Sequence, residues 1–293
     1  MNKPVITQAM IDAYDEYTHL TLDRRRFMER LTALAGSAAA AAAIVPMLAA
    51  DSAKAEMIAA TDERIKGEDI TYPGADGDMK GYLVQPAQKS GKLPAVIVIH
   101  ENRGLNPHIR DVARRVALEG FVAIAPDFLS PEGGTPDDED RAREMIGALD
   151  AQKTNANAVA TVAFLQGHEA SNGNVGAIGF CWGGGLVNRL AVNAPELDAG
   201  VAYYGSQPDP ADVPKIEAAM LLHYAGLDER INAGIEAYRE ALTESGKDFT
   251  IHMYEGVNHA FNNDTSAARY DKAAADLAWE RTIAFLKEEL ASS

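Results

Sequence analysis

The stretch Val175-Gly176-Ala177-Ile178-Gly179-Phe180-Cys181-Trp182-Gly183-Gly184-Gly185-Leu186 decides the fold. Its first half is an apolar run that reads as a buried strand. The residues after the glycines (Leu186, Val187, Leu190, Ala191) recur at helical spacing. Between them stands Gly-x-Cys-x-Gly, the pattern of a nucleophile elbow with cysteine in the place of serine. A residue forced into a tight strand-to-helix turn needs neighbours that carry no side chain to collide. It then presents its own side chain above the sheet, at the positive end of the next helix. A thiol held there has a lowered pKa and a backbone N–H close by to receive an oxyanion. A lone cysteine can also be an apolar filler, so the reading depends on partners elsewhere in the chain.

Outward from the elbow, strands and helices alternate. Glu68–Tyr72 and Met79–Val84 read as an antiparallel pair joined by the turn Gly74-Ala75-Asp76-Gly77. Leu93–His100 is continuously apolar, as expected of a strand covered on both faces, and Phe121–Ala125 is the next. Helices are expected over Asn106–Glu119, Asp137–Asp150 and Lys153–Gly167. After the elbow come strands Ala199–Tyr204, Ala219–Tyr224 and Phe249–Tyr254, with helices Ala233–Glu244 and Ser266–Leu290. This order predicts an α/β fold, a mostly parallel central sheet with helices on both faces. In such sheets the chemistry gathers beyond the carboxyl ends of the strands.

Those ends carry Cys181, then Asp228 after Met220–Tyr224, then His259 after Ile251–Tyr254. The order nucleophile, acid, histidine is that of the α/β-hydrolases. In that scheme His259 exchanges protons with the thiol and Asp228 holds the imidazole in its useful tautomer. Asp228 also reads as a helix N-cap, and Asp209, Asp212 and Asp248 are rival carboxylates. His223 and His252 lie within strands and read as packing or surface residues. His100 and His108 stay open. A fourth element, His100-Glu101-Asn102-Arg103-Gly104, ends the first long buried strand, where loops supply the second oxyanion N–H. Its charges read either as a solvated loop or as a Glu101 that interacts with the thiol and controls its ionisation.

The 293 residues are 47% hydrophobic and 24% charged, which suits one substantial core. One Cys excludes an internal disulfide and a cysteine-based structural zinc site. A net charge of −16 leaves no basic face for nucleic acid. The first 55 residues read as an export signal outside the fold, ahead of a domain over residues 56–293. Asp23-Arg24-Arg25-Arg26-Phe27-Met28 resembles a twin-arginine motif. An uncharged, alanine-rich run from Leu31 to Ala50 follows, then the A-x-A site Ala53-Lys54-Ala55. The run is long enough to span a bilayer, but its small residues make a poor anchor. This predicts passage through the twin-arginine machinery to a periplasmic or secreted location, without stable membrane insertion after cleavage. The long, partly acidic lead-in from Met1 to Leu22 is unusual for such a signal.

Taken together, these blocks resemble the dienelactone hydrolase family, cysteine hydrolases of α/β-hydrolase fold. The likeness runs from about Gly67 to Leu290. It rests on Gly179-Phe180-Cys181-Trp182-Gly183-Gly184, His100-Glu101-Asn102-Arg103-Gly104, Ala125-Pro126-Asp127, Tyr203-Tyr204-Gly205, Gly226-Leu227-Asp228 and Asn258-His259-Ala260-Phe261. The resemblance implies a Cys181–His259–Asp228 triad and an oxyanion hole from the backbone N–H groups of Asn102 and Trp182. It also implies that Glu101 contacts the thiol in the empty site and swings away when substrate binds. Dienelactone-cleaving members hold the substrate carboxylate with two arginines. Here the first region reads Phe128-Leu129-Ser130-Pro131 and the second position is Asn263, which leaves Arg103 as the candidate substrate contact.

The sequence therefore predicts a hydrolase of small-molecule esters or lactones, acting through a thioester on Cys181, with no metal or organic cofactor implied. A carboxylesterase-type enzyme for a different acyl compound and a non-catalytic binding protein on the same fold are the alternatives. A peroxide-sensing role for Cys181 lacks a resolving cysteine.

Overall fold

The computed structural model of the chain describes residues 5–49 and 56–291. Ala53-Lys54-Ala55 lies outside the described residues. The leading segment forms three helices, α1 (Gln8–Thr18), α2 (Arg24–Ala35) and α3 (Ala38–Leu48). Asp23 and Ser37 cap α2 and α3 by accepting from the amides of Arg26 and Ala40. Gly36, at φ 80°, ends α2, and the chain turns by 110° into α3. The apolar run is thus broken, and no single helix among the described residues is long and apolar enough to cross a membrane.

The rest alternates as the pattern predicts. After the hairpin β1 (Ile65–Pro73) and β2 (Asp78–Pro86) come β3 (Leu93–Ile99), α4 (Pro107–Leu118) and β4 (Val122–Asp127). Then follow α5 (Glu139–Ala148), α6 (Ala151–Gly167), β5 (Ser171–Phe180), α7 (Trp182–Asn193) and β6 (Ala199–Tyr203). The chain closes with β7 (Ala219–Ala225), α8 (Glu229–Asn232), α9 (Ile235–Glu244), β8 (Phe249–Tyr254) and α10 (Lys272–Glu289). The strands form one eight-stranded sheet in the order β1-β2-β4-β3-β5-β6-β7-β8. β2 pairs antiparallel with β1 and β4, and the remaining pairs are parallel.

Strand alternation splits the core in two. Ile97 and Ile99 face α6, α7 and α9, where Val162, Leu190 and Tyr238 pack. Val96 and Val98 face α4 and α10, where Val112, Val116 and Leu286 pack. From β3 the chain crosses to β4 on one side, and from β5 to β6 on the other. The ends of β3 and β5 therefore border the crevice at a topological switch point.

Two elements differ from the sequence reading. α10 starts at Lys272 rather than near Ser266, because the side chain of Asp271 caps it through the Ala274 amide. Ahead of it, Asn263 accepts from both the amide and hydroxyl of Thr265, making a turn where a helix was expected. The second difference is larger. Residues 5–49 do not stand apart from the domain. α1 is bonded to the loops at the carboxyl ends of the strands, through Gln8 to Asn258 and Arg103 to Tyr14. Met10, Ile11, Tyr14 and Tyr17 of α1 bury a face against Phe27, Leu31, Ile44 and Leu48 of the next two helices. That spacing is the apolar stripe of an amphipathic helix, a pattern that the export motif overshadows.

Candidate active site

Cys181 follows β5 directly and holds φ 56°, ψ −114°, a conformation costly for a residue with a Cβ. Its backbone N–H is fixed by Tyr203 O at 3.0 Å, and its carbonyl accepts the first turn of α7 through Gly185 N. Glycines allow this bend. A Cβ on Gly183 would stand 2.5 Å from His100 O, and one on Gly184 would stand 2.6 Å from Tyr203 O. The start of α7 is thus pressed between the ends of β3 and β6, and the sulfur is turned toward the crevice.

Asp228 and His259 arrive from the ends of β7 and β8. Asp228 Oδ1 accepts from Ile231 N at 3.2 Å and caps α8, while Oδ2 accepts from His259 Nδ1 at 2.5 Å. The cap reading and the acid reading of Asp228 hold together, one on each oxygen. With Nδ1 so engaged, His259 Nε2 is buried without a hydrogen-bond partner among the described residues, and a ring nitrogen of His259 lies within 4.8 Å of the Cys181 sulfur. Burial raises the Asp228 pKa, but the His259 charge outweighs it and the carboxyl titrates below its ordinary range. Burial lowers His259, yet Asp15, Cys181 and Asp228 together lift it well above an ordinary imidazole. Burial pushes the Cys181 thiol up, and the imidazoles of His259 and His19 overcome this and bring it down to about 6.

Cys181, Asn102, Trp182 and His259 line one cleft of about 190 Å³, with Tyr204, Arg143 and Arg230 on its walls. Trp182 is the first residue of α7, so its N–H belongs to the unpaired amides at a helix start. His100 fixes the loop that carries Asn102. Its ring stacks on Trp182 at 5.2 Å, Nδ1 donates to Glu101 O at 2.6 Å, and Nε2 accepts from Phe128 N at 3.2 Å. Burial keeps this imidazole neutral by lowering its pKa. His223 is a core residue held between Tyr254 and Thr282.

Two predicted residues are engaged elsewhere. Glu101 accepts from Asn263 Nδ2 at 2.8 Å. Arg103 bonds Glu139 and, at 2.8 Å, the Tyr14 hydroxyl, and it borders a small adjoining cavity with Glu101, Cys181 and His259 rather than the main cleft. The side chain that does hydrogen-bond the sulfur comes from the leading segment: His19 Nε2 lies 3.3 Å from Cys181 Sγ. His19 belongs to none of the motifs in the sequence. Its one local signal is Asp15 four residues earlier, on the same face of an amphipathic helix. The donor atoms of His19, Cys181 and His259 are close enough together to capture a metal ion. The outer nitrogens of both imidazoles are already bound to oxygen atoms of Asp15 and Asp228, an arrangement suited to moving protons.

Residues 79–290 match the model of the dienelactone hydrolase family. The chain belongs to that family. A relative from Escherichia coli O157:H7, named "Putative carboxymethylenebutenolidase", is 32% identical over 255 residues, covering 82% of this chain and 93% of its own. A relative of the same name from Saccharolobus solfataricus is 32% identical and covers 75% of this chain and 98% of its own. A crystal structure from Klebsiella pneumoniae, titled "Putative Dienelactone Hydrolase", has TM-score 0.70 and 28% identity. It covers 76% of this chain and 99% of its own. The hydrolase is therefore an α/β-hydrolase-fold enzyme acting on ester or lactone bonds. Asp15 and His19 lie ahead of the family-matched segment.

Proposed function

We propose that the hydrolase cleaves small esters or lactones through a thioester on Cys181. The supporting observation is the meeting of Cys181 and His259, the imidazole backed by Asp228, on a cleft that Asn102 and Trp182 also line. The Cys181 thiolate attacks the carbonyl carbon, and the oxyanion rests on the N–H groups of Asn102 and Trp182. Collapse of this intermediate expels the alkoxide, which takes its proton from the His259 imidazolium. Neutral His259 then draws a proton from water, and the hydroxide adds to the thioester. Collapse releases the acid and returns the thiolate. Asp228 keeps Nε2 directed at these transfers. The small cleft suits a compact acyl group, and Arg143 and Arg230 on its walls extend the reading to substrates bearing a carboxylate.

Turnover of p-nitrophenyl acetate and of a panel of neutral and carboxylate-bearing lactones by wild type and Cys181→Ala tests this. Loss of turnover in the folded variant, by about a thousandfold or more, supports it. Undiminished turnover overturns it.

We also propose export by the twin-arginine route. The side chains of Arg24, Arg25 and Arg26 are exposed, which supports recognition of the motif by the export machinery. With α1 packed at the site, the active form in this reading keeps its leading residues. Cell fractionation of the Arg24→Lys/Arg25→Lys double variant is expected to show retention in the cytoplasm, and export equal to wild type would overturn this.

A further inference from the structure

The triad accounts for one imidazole at the sulfur, and the structure holds two. His19 Nε2 lies 3.3 Å from Cys181 Sγ, while its Nδ1 meets Asp15 O at 2.8 Å and Asp15 Oδ2 at 3.3 Å. This repeats the way Asp228 backs His259, and the Asp15 and Asp228 carboxylates lie within 4.8 Å of each other and of a His259 ring nitrogen. The two rings lie edge to face with centroids 4.7 Å apart. α1 is held where this requires. Asn102 donates to Thr18 O at 2.6 Å, next to His19, and Arg269 lies 3.7 Å from Asp15. Glu101, the residue expected at the thiol of the empty site, is bonded to Asn263 instead.

We propose that His19 is a catalytic residue of this hydrolase, donating an Nε2–H hydrogen bond to the Cys181 sulfur from a helix outside the family-matched segment. The assignment rests on Cys181 being the nucleophile. In the resting site His19 steadies the thiolate, so that His259 is spared for the leaving group and the water. Once the sulfur is acylated it carries no charge, and the bond to His19 weakens until the thiolate returns. Paired with Asp15 on its far side, the ring keeps a proton to donate. The other charged groups bordering the two rings and the sulfur are Glu101, Arg103, Arg143, Asp228, Arg230 and Arg269. None of these six is hydrogen-bonded to the sulfur among the described residues.

The competing reading is a plug, in which His19 only covers the thiol. The test uses the full-length chain with His19→Gln and His19→Ala, and Asp15→Asn as a milder variant. It reads p-nitrophenyl acetate turnover and the pH dependence of Cys181 alkylation by iodoacetamide, with thermal melting to confirm the fold. The expected result is an alkylation midpoint moved up by about one pH unit and kcat lowered about tenfold in both His19 variants. Asp15→Asn moves both in the same direction by less, and carries the test alone if neither His19 variant folds. A raised kcat/KM, or a midpoint and kcat that stay at wild-type values, overturns the assignment. Cys181→Ala in the same assay separates the two failures. Turnover surviving that change removes the nucleophile itself. Turnover lost there but untouched by the His19 and Asp15 variants removes only the role of His19.

Discussion

Asp228 divides its carboxylate between two tasks, with Oδ2 2.5 Å from His259 Nδ1 and Oδ1 on the first turn of α8. One residue thus sets both the direction of the imidazole and the start of a helix. Asparagine caps nearly as well as aspartate, but it neither matches the imidazolium charge nor enforces the tautomer. Asp228→Asn is therefore expected to melt close to wild type while kcat falls by about a hundredfold to ten-thousandfold. Asp228→Ala should add a loss of about 1 kcal/mol of stability from the missing cap. Calorimetry beside initial rates checks both, and a large drop in melting temperature for the asparagine variant would count against the division.

The thiol sets the pH range of reactivity. Burial raises its pKa, but the two imidazoles bring it to about 6. A folded-state value below the ordinary thiol means that thiolate accumulates as pH rises through about 6 and is lost below it. The rate of Cys181 alkylation in wild type should climb through that range and level off before pH 8, where a free cysteine is still mostly protonated. Loss of His259, in His259→Gln, should carry the midpoint upward. A wild-type midpoint near the ordinary thiol value would contradict the geometry.

Gly184 faces backbone on two sides, with Tyr203 O and the Gly205 Cα in the way of any Cβ. Neither neighbour is a flexible side chain that can swing aside, so Gly184→Ala must displace the start of α7 or the end of β6. We expect a loss of about 1–3 kcal/mol in urea unfolding and a fall in kcat, because the elbow moves with the helix. Stability and turnover both unchanged would show that the packing is looser than described.

Arg230 lines the cleft beside Ile231 and His259. Arg230→Gln should raise KM for a carboxylate-bearing lactone by about tenfold, the size of one charge-assisted contact. The rise for a neutral ester should be smaller. Equal effects on the two substrates would remove Arg230 from carboxylate recognition.

The elbow, the strand order and the places of Asp228 and His259 could be read from the chain, because each follows from a local pattern: an apolar run, a glycine pair, a polar residue past a strand end. The role of α1 could not. Whether Tyr14 and Tyr17 pack on the site or lead a disposable signal depends on contacts with Arg103 and Asp140, more than 80 residues away in sequence, and on nothing in their own spacing. The same holds for Glu101. Its chemistry suggests a thiol partner, but the choice is made by Asn263, a residue the sequence reading weighed only for the arginine it lacks. Arg103 is the arginine left over where the two of the resemblance are missing, which says nothing of its direction, and it turns to Glu139 and Tyr14.

The two ends of the described chain have unequal access to the chemistry. Asn174 donates to Leu290 O at the far end of β5, seven residues and roughly 20 Å of strand from the sulfur. An affinity handle or a surface linkage placed after α10 is thus well separated from the cleft, whereas a fusion ahead of α1 joins the helix that His19 caps. Carboxyl-terminal attachment is the geometry of choice for immobilising this enzyme.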